Sequence, residues 1–281
     1  MPQQLTDAVD PVNLLYYGDG GTGKTSHICA MARLGKVWIL NAEGGIKKRP
    51  LALLGIPIEN IEVFPGPDEV LDYESVEAEW IRIREAVAAD PTSYVGVGID
   101  SLTDFQMTLA GKVASAAVIR ASRAGRDRNP SVMDQDNWRE VNWYVNETMR
   151  RFRDLPVHFA MSALTRREQD DDSSITYRPA VTPSLQNPLD LTADVICHTS
   201  VALVDGEEEF RGLFRPHGKY RGKDRLHALP KWLVDPTFDR VVGYVNDELT
   251  VDTDDVMNAA RVRAQREKEL QAETENTKQA A

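Results

Sequence analysis

Gly18-Asp19-Gly20-Gly21-Thr22-Gly23-Lys24-Thr25 is the stretch that decides the fold class of this chain. It matches G-x-x-x-x-G-K-[ST] at every fixed position, and each fixed residue has a chemical reason. Glycines lack a Cβ, so consecutive backbone N–H groups can curl around a phosphate. Lys24 is long enough to reach the β- and γ-phosphates of a nucleotide, and the Thr25 hydroxyl is a ligand for Mg²⁺. The flanks agree with this reading. Val12 to Tyr17 reads as a strand entering the loop, and Ser26 to Leu34 as the helix leaving it, with its N-terminal dipole facing the phosphates. The phosphate-binding set is therefore Gly18, Asp19, Gly20, Gly21, Thr22, Gly23, Lys24, Thr25 and Ser26.

Outward from the loop, short apolar runs alternate with longer amphipathic ones. Lys36 to Asn41, Ile61 to Phe64, Tyr94 to Asp100 and Pro156 to Leu164 read as strands. Helical spacing runs from Val70 to Ala89 and stops before Asp90-Pro91. Two more helices are predicted, from Leu102 to about Arg123 and from Asp134 to about Asp154. The second carries Trp138, Val141, Val145, Met149 and Phe152 on one stripe, a core face. Beyond Asp194 the pattern turns β-rich, over Val195 to Val204 and Phe210 to Phe214. Such alternation demands an α/β fold with a mostly parallel central sheet flanked by helices. The predicted organisation is an N-terminal arm (1–11), a core (12–250) with a β-rich C-terminal extension of the sheet, and a charged tail (251–281), helical or disordered.

The 281 residues are 42% hydrophobic and 27% charged, an ordinary globular composition. No run approaches the ~18 apolar residues of a membrane span. The polar start from Met1 to Asp10 is not a secretory leader, so a cytoplasmic protein without a membrane partner is expected. A net charge of −11 argues against a general basic coat for nucleic acid but leaves room for a local basic groove. Cys29 and Cys197 read as buried thiols rather than a disulfide. Cys197-His198 lacks the second clustered pair that a zinc site requires.

Ligands of such sheets bind at the carboxyl ends of the strands, where the loop, Glu43 and Asp100 all fall. Asp100 ends an apolar strand, and a carboxylate there holds Mg²⁺ through water. Glu43 follows Asn41-Ala42 at the end of the preceding strand, placed to orient and polarise an attacking water.

The order of these features resembles the ATPase core of the RecA superfamily. Asn41-Ala42-Glu43 matches the family's D-x-E-like turn, Asp100-Ser101 its Asp-Ser pair, Phe159 to Leu164 its sensor strand, and Lys223-Asp224-Arg225 the K-x-R element of its ring and filament members. Over about residues 12–230 the chain is most similar to phage-encoded RecA-like single-strand annealing ATPases. The resemblance implies a P-loop NTPase of RecA-like (ASCE) type that uses ATP and Mg²⁺. Glu43 and Lys24 would be catalytic, and Lys223 and Arg225 would complete the site of a neighbouring subunit. The implied partners are single-stranded DNA, further copies of the chain in a ring or filament, and a single-strand DNA-binding protein. The implied activity is DNA-dependent ATP hydrolysis in phage homologous recombination or strand annealing, in the host cytoplasm.

Two departures follow from the same comparison. The family's sensor glutamine is replaced by Ser162-Ala163, with Thr165 next, so Ser162 and Thr165 are the sensor candidates. The DNA-binding candidates are Arg120, Arg123, Arg126 and Arg128 after the Asp100 helix, and Arg166 and Arg167 after the sensor strand. The latter are followed by the acidic Asp170-Asp171-Asp172, and a plain basic surface loop accounts for the former nearly as well. Two other functions stay open: a motor, either a ring helicase or a helicase loader, and a nucleotide-switched binding module with little turnover.

Overall fold

Alternating apolar residues set the two faces of the central sheet. In the computed structural model, which describes residues 11–129, 132–169 and 174–249, strand β1 (Asn13–Gly18) sends Leu14 and Tyr16 into one core and Leu15 and Tyr17 into the other. Strand β2 (Val37–Asn41) divides in the same way, Val37 and Ile39 against Trp38 and Leu40. A sheet apolar on both faces has to be covered on both. Helices α1 (Lys24–Cys29), α2 (Lys48–Leu53) and α7 (Phe238–Val245) cover the first face. Helices α3 (Tyr73–Ala89), α4 (Leu102–Arg123), α5 (Gln135–Arg153) and α6 (Pro183–Thr192) cover the second. The predicted arm up to residue 10, the Asp170-Asp171-Asp172 run and the tail lie outside the described residues.

The remaining strands are β3 (Ile61–Phe64), β4 (Gly96–Asp100), β5 (His158–Gln169), β6 (Ile175–Pro179), β7 (Val195–Val204), β8 (Glu207–Leu213), β9 (Lys223–Asp224) and β10 (Trp232–Val234). Their order is β10-β8-β7-β1-β5-β4-β2-β3, parallel from β7 to β3 and antiparallel across β7, β8 and β10. The α/β class, the mostly parallel sheet and its β-rich C-terminal extension thus hold. Strand β5 separates the loop strand β1 from β4, which ends in Asp100.

Helix α5 docks through Val141, Val145, Met149 and Phe152, all buried. Phe152 stacks on Trp38 with ring centroids 5.1 Å apart, and Trp38 stacks in turn on Phe64. Fully burying a side chain such as Phe152 contributes about 1.5–3 kcal/mol. At the helix start the Asp134 carboxylate accepts the Asn137 N–H at 2.8 Å.

Two expectations need correction. The sensor strand does not stop at Leu164. It runs to Gln169 and forms a hairpin with β6, with Arg166 opposite Arg178 and Arg167 opposite Tyr177. Beyond Leu164 the strand is polar and half exposed, so no apolar run marks it, and tertiary pairing decides. Helices α6 and α7 were also not foreseen. They are short, and α6 has a proline inside it, which masks the helical signal.

Candidate functional site

Strand β1 ends at Gly18, and the chain turns through Gly21 (φ 79°) and Gly23 (φ 82°) into α1. These left-handed angles disfavour any residue with a Cβ, which accounts for the glycines. Lys24 is buried, and its Nζ donates to the carbonyl oxygens of Gly18 (2.9 Å) and Asp19 (2.7 Å). Burial lowers its pKa from the ordinary lysine value, while Glu43, Asp100 and Asp19 pull it back up.

Asp100 reaches the loop because of what precedes it. On β4, Val97 and Ile99 face the α5 side, which leaves Gly96, Gly98 and Asp100 on the α1 side. A Cβ at Gly96 would lie 2.3 Å from Met31 Sδ, and one at Gly98 3.0 Å from Ile28 Cγ2. The missing side chains let the segment after the loop settle close to β4. The fully buried Asp100 carboxylate then accepts the Thr25 hydroxyl at 2.8 Å through Oδ2 and the Ser162 hydroxyl through Oδ1. Burial raises its pKa, and the bonds from Ser162 and Thr25 oppose the rise. A hydroxyl and a carboxylate side by side are the hard oxygen donors that Mg²⁺ takes, so Thr25 and Asp100 fit that ion. Among the described residues no group of three His, Cys, Asp or Glu forms a separate metal site.

Glu43 stands beside this pair. Its backbone N–H donates to the Asp100 carbonyl at 3.2 Å, extending the β2–β4 register beyond Asn41 opposite Asp100. Partial burial raises the Glu43 pKa, with Asp100 and Asp104 adding to the rise and Lys24 opposing it. A carboxylate made more basic in this way is a better proton acceptor.

The other predicted residues are placed as follows. Ser162 is committed to Asp100, and the Thr165 Oγ1 is buried without a hydrogen-bond partner. Lys223 and Arg225 do not approach their own chain's loop. Lys223 and Asp224 pair with Ile196 and Val195, and Val195 lies opposite Leu14, at the far end of β1 from Gly18. The Lys223 amine donates to the Asp190 and Ala193 carbonyls at 2.6 and 2.5 Å, where α6 ends. Arg225 is exposed, 3.6 Å from Asp194. Arg120 pairs with Glu140, Arg128 with Asp134, and Arg166 with Glu168. Arg123, Arg126 and Arg167 are exposed. Cys29 and Cys197 are buried free thiols.

Thr199 on β7 was not foreseen. Its hydroxyl meets that of Thr22 at 2.7 Å, while Thr22 also donates to the Asp19 carbonyl at 2.9 Å. It braces the phosphate loop from the neighbouring strand. No local pattern marks it; only the parallel pairing of β1 with β7 brings it there.

Among the described residues no helix is long and apolar enough to cross a membrane. The chain matches the model of the AAA_24 family, described as an AAA domain, over residues 10–226. Among solved structures it is similar to a KaiC-like protein from the hyperthermophilic archaeon Pyrococcus horikoshii OT3, at 14% identity and a TM-score of 0.40, covering 73% of this chain and 78% of that one. No curated protein matches it. With a complete phosphate loop, a carboxylate strand one place removed from it and a family match over most of its length, the chain belongs to the AAA_24 family and has the α/β fold of a P-loop NTPase.

Proposed function

We propose that this protein is a Mg²⁺-dependent ATPase that assembles with copies of itself and acts on single-stranded DNA in phage recombination or strand annealing. The observation that carries the ATPase reading is the hydrogen-bond chain Thr25–Asp100–Ser162, which ties the loop helix to the end of β4 and to the neighbouring strand β5. The loop N–H groups and Lys24 hold the β- and γ-phosphates. Thr25 and Asp100 hold Mg²⁺, which when bound neutralises phosphate charge. Glu43 takes the proton from the attacking water, and Ser162 keeps the Asp100 carboxylate oriented. Of the two K-x-R cations, exposed Arg225 is assigned to the neighbour's site, because the Lys223 amine is already held by carbonyl oxygens. A cation supplied in trans is worth ~10³–10⁵ in rate where such arginine fingers operate. The DNA and recombination roles rest on the resemblance of motifs and on exposed Arg123, Arg126 and Arg167.

A nucleotide-switched binding module is the second reading. It is favoured by Arg120, Arg128 and Arg166, whose charges are met by acids of their own chain. Steady-state ATP hydrolysis against protein concentration, with and without single-stranded DNA and with Lys24→Ala as the blank, separates the two. A rate per subunit that climbs with concentration and with DNA supports the DNA-acting ATPase. A rate at the blank's level throughout refutes it in favour of the switch.

A further inference from the structure

A cavity of about 340 Å³ opens beside the phosphate loop, between α1, the end of α2 and the start of α7. Ser26, His27, Ile56, Phe210, Asp235 and Thr237 are among its walls. It begins where the loop ends, since Gly23 and Ser26 are part of its lining. Its walls are mostly apolar, yet two polar groups in them are left unmatched. His27 is only 4% exposed, and neither of its ring nitrogens has a hydrogen-bond partner. The Thr237 Oγ1 is buried and likewise without one. Buried polar groups left without hydrogen bonds are costly, so such groups call for an explanation.

We infer that this cavity receives the purine base of the bound nucleotide, with Phe210 offering a ring contact and His27 and Thr237 reading the base edge. The inference rests on the nucleotide reading above and extends it to base recognition. The ligand has to be flat and heteroaromatic to lie on Phe210 and against Ile56 and Leu54. It has to carry donors and acceptors on one edge, because a neutral imidazole offers one of each and a threonine hydroxyl can do either. The Asp235 carboxylate adds an acceptor for an exocyclic amine. A fused two-ring base fills the cavity better than a single ring and covers more of its apolar wall.

The test is calorimetric titration of the full chain with ADP, GDP, CDP and inorganic pyrophosphate, each with Mg²⁺. At least one purine diphosphate is expected to bind about tenfold or more tightly than CDP and pyrophosphate, the scale of one aromatic stack plus an edge contact. Phe210→Ala and Thr237→Val should each remove most of that advantage and leave pyrophosphate affinity unchanged. Phe210→Leu, which keeps the bulk, should fall between. Pyrophosphate serves as the folding control, because it reports an intact loop. Equal binding of all four probes to the wild type, or an advantage that survives both variants, overturns the base pocket alone. Pyrophosphate affinity lost in step with ADP shows that the residues only hold the loop's shape, which also overturns it. Failure of all four probes to bind the wild type removes the phosphate-loop reading itself.

Discussion

Gly18→Ala probes the brace between β1 and β7 directly. A Cβ added at Gly18 would lie 2.3 Å from the Thr199 Oγ1, 2.4 Å from the Thr199 carbonyl oxygen and 2.9 Å from the Thr22 Oγ1. The side-chain oxygens can rotate away, but the carbonyl belongs to a strand that pairs with β1 on one side and β8 on the other. Overpacking costs about 1–3 kcal/mol, and a backbone obstacle puts this substitution at about 3 kcal/mol. For a domain of this size that is a fall of about 6–12 °C in Tm. Gly20→Ala is the matched control. It lies in the same loop, has no heavy atom within 4 Å of its added Cβ, and should change stability by less than about 0.5 kcal/mol. Thr199→Ala in the Gly18→Ala background removes the hydroxyl but not the carbonyl, so less than half of the loss should return. Thermal melts and urea midpoints of the four proteins decide the matter. A Gly18→Ala protein that melts together with Gly20→Ala, or one fully rescued by Thr199→Ala, refutes the backbone clash as the source.

The remaining predictions concern His27 and the K-x-R element. Burial, with help from Lys24, lowers the His27 pKa from 6.5 to about 4. Between those values the unfolded chain binds a proton that the folded chain does not, so stability falls as pH drops through that window, by up to about 3 kcal/mol, and levels off below it. Urea midpoints of wild type and His27→Phe across that range test this, and equal slopes would clear His27 as the cause. Lys223→Met should lose about 1–2 kcal/mol of stability through the abandoned α6 carbonyls. Arg225→Ala should melt within about 0.5 kcal/mol of wild type and lower turnover only at concentrations where subunits assemble. A Lys223→Met protein of wild-type stability contradicts the capping role, and full turnover in Arg225→Ala contradicts the finger.

Much of the fold was legible because its signals are local. Consecutive residues alternate between faces on β1 and β2, and the α5 stripe repeats at helical spacing, so composition along the chain reports burial. The hairpin of β5 with β6 was not legible, because polar, half-exposed strands carry no apolar run and are stabilised by the partner they find. Helix α6, interrupted by Pro188, is held by Leu185 and Leu189 in the core rather than by propensity.

The candidate site divides along the same line. From the sequence alone came the phosphate loop, because its chemistry lies in consecutive residues. Glu43 and Asp100 came with it, because an acid closing an apolar strand falls at the ligand end of a parallel sheet. Tertiary structure alone decided that Ser162 serves Asp100, that Thr199 braces Thr22, that Lys223 caps α6 while Arg225 stays exposed, and that His27, Phe210 and Thr237 share one cavity. These groups are separated by tens to hundreds of positions in the chain. Only the strand order, with β5 between β1 and β4 and β7 on the other side of β1, brings them together.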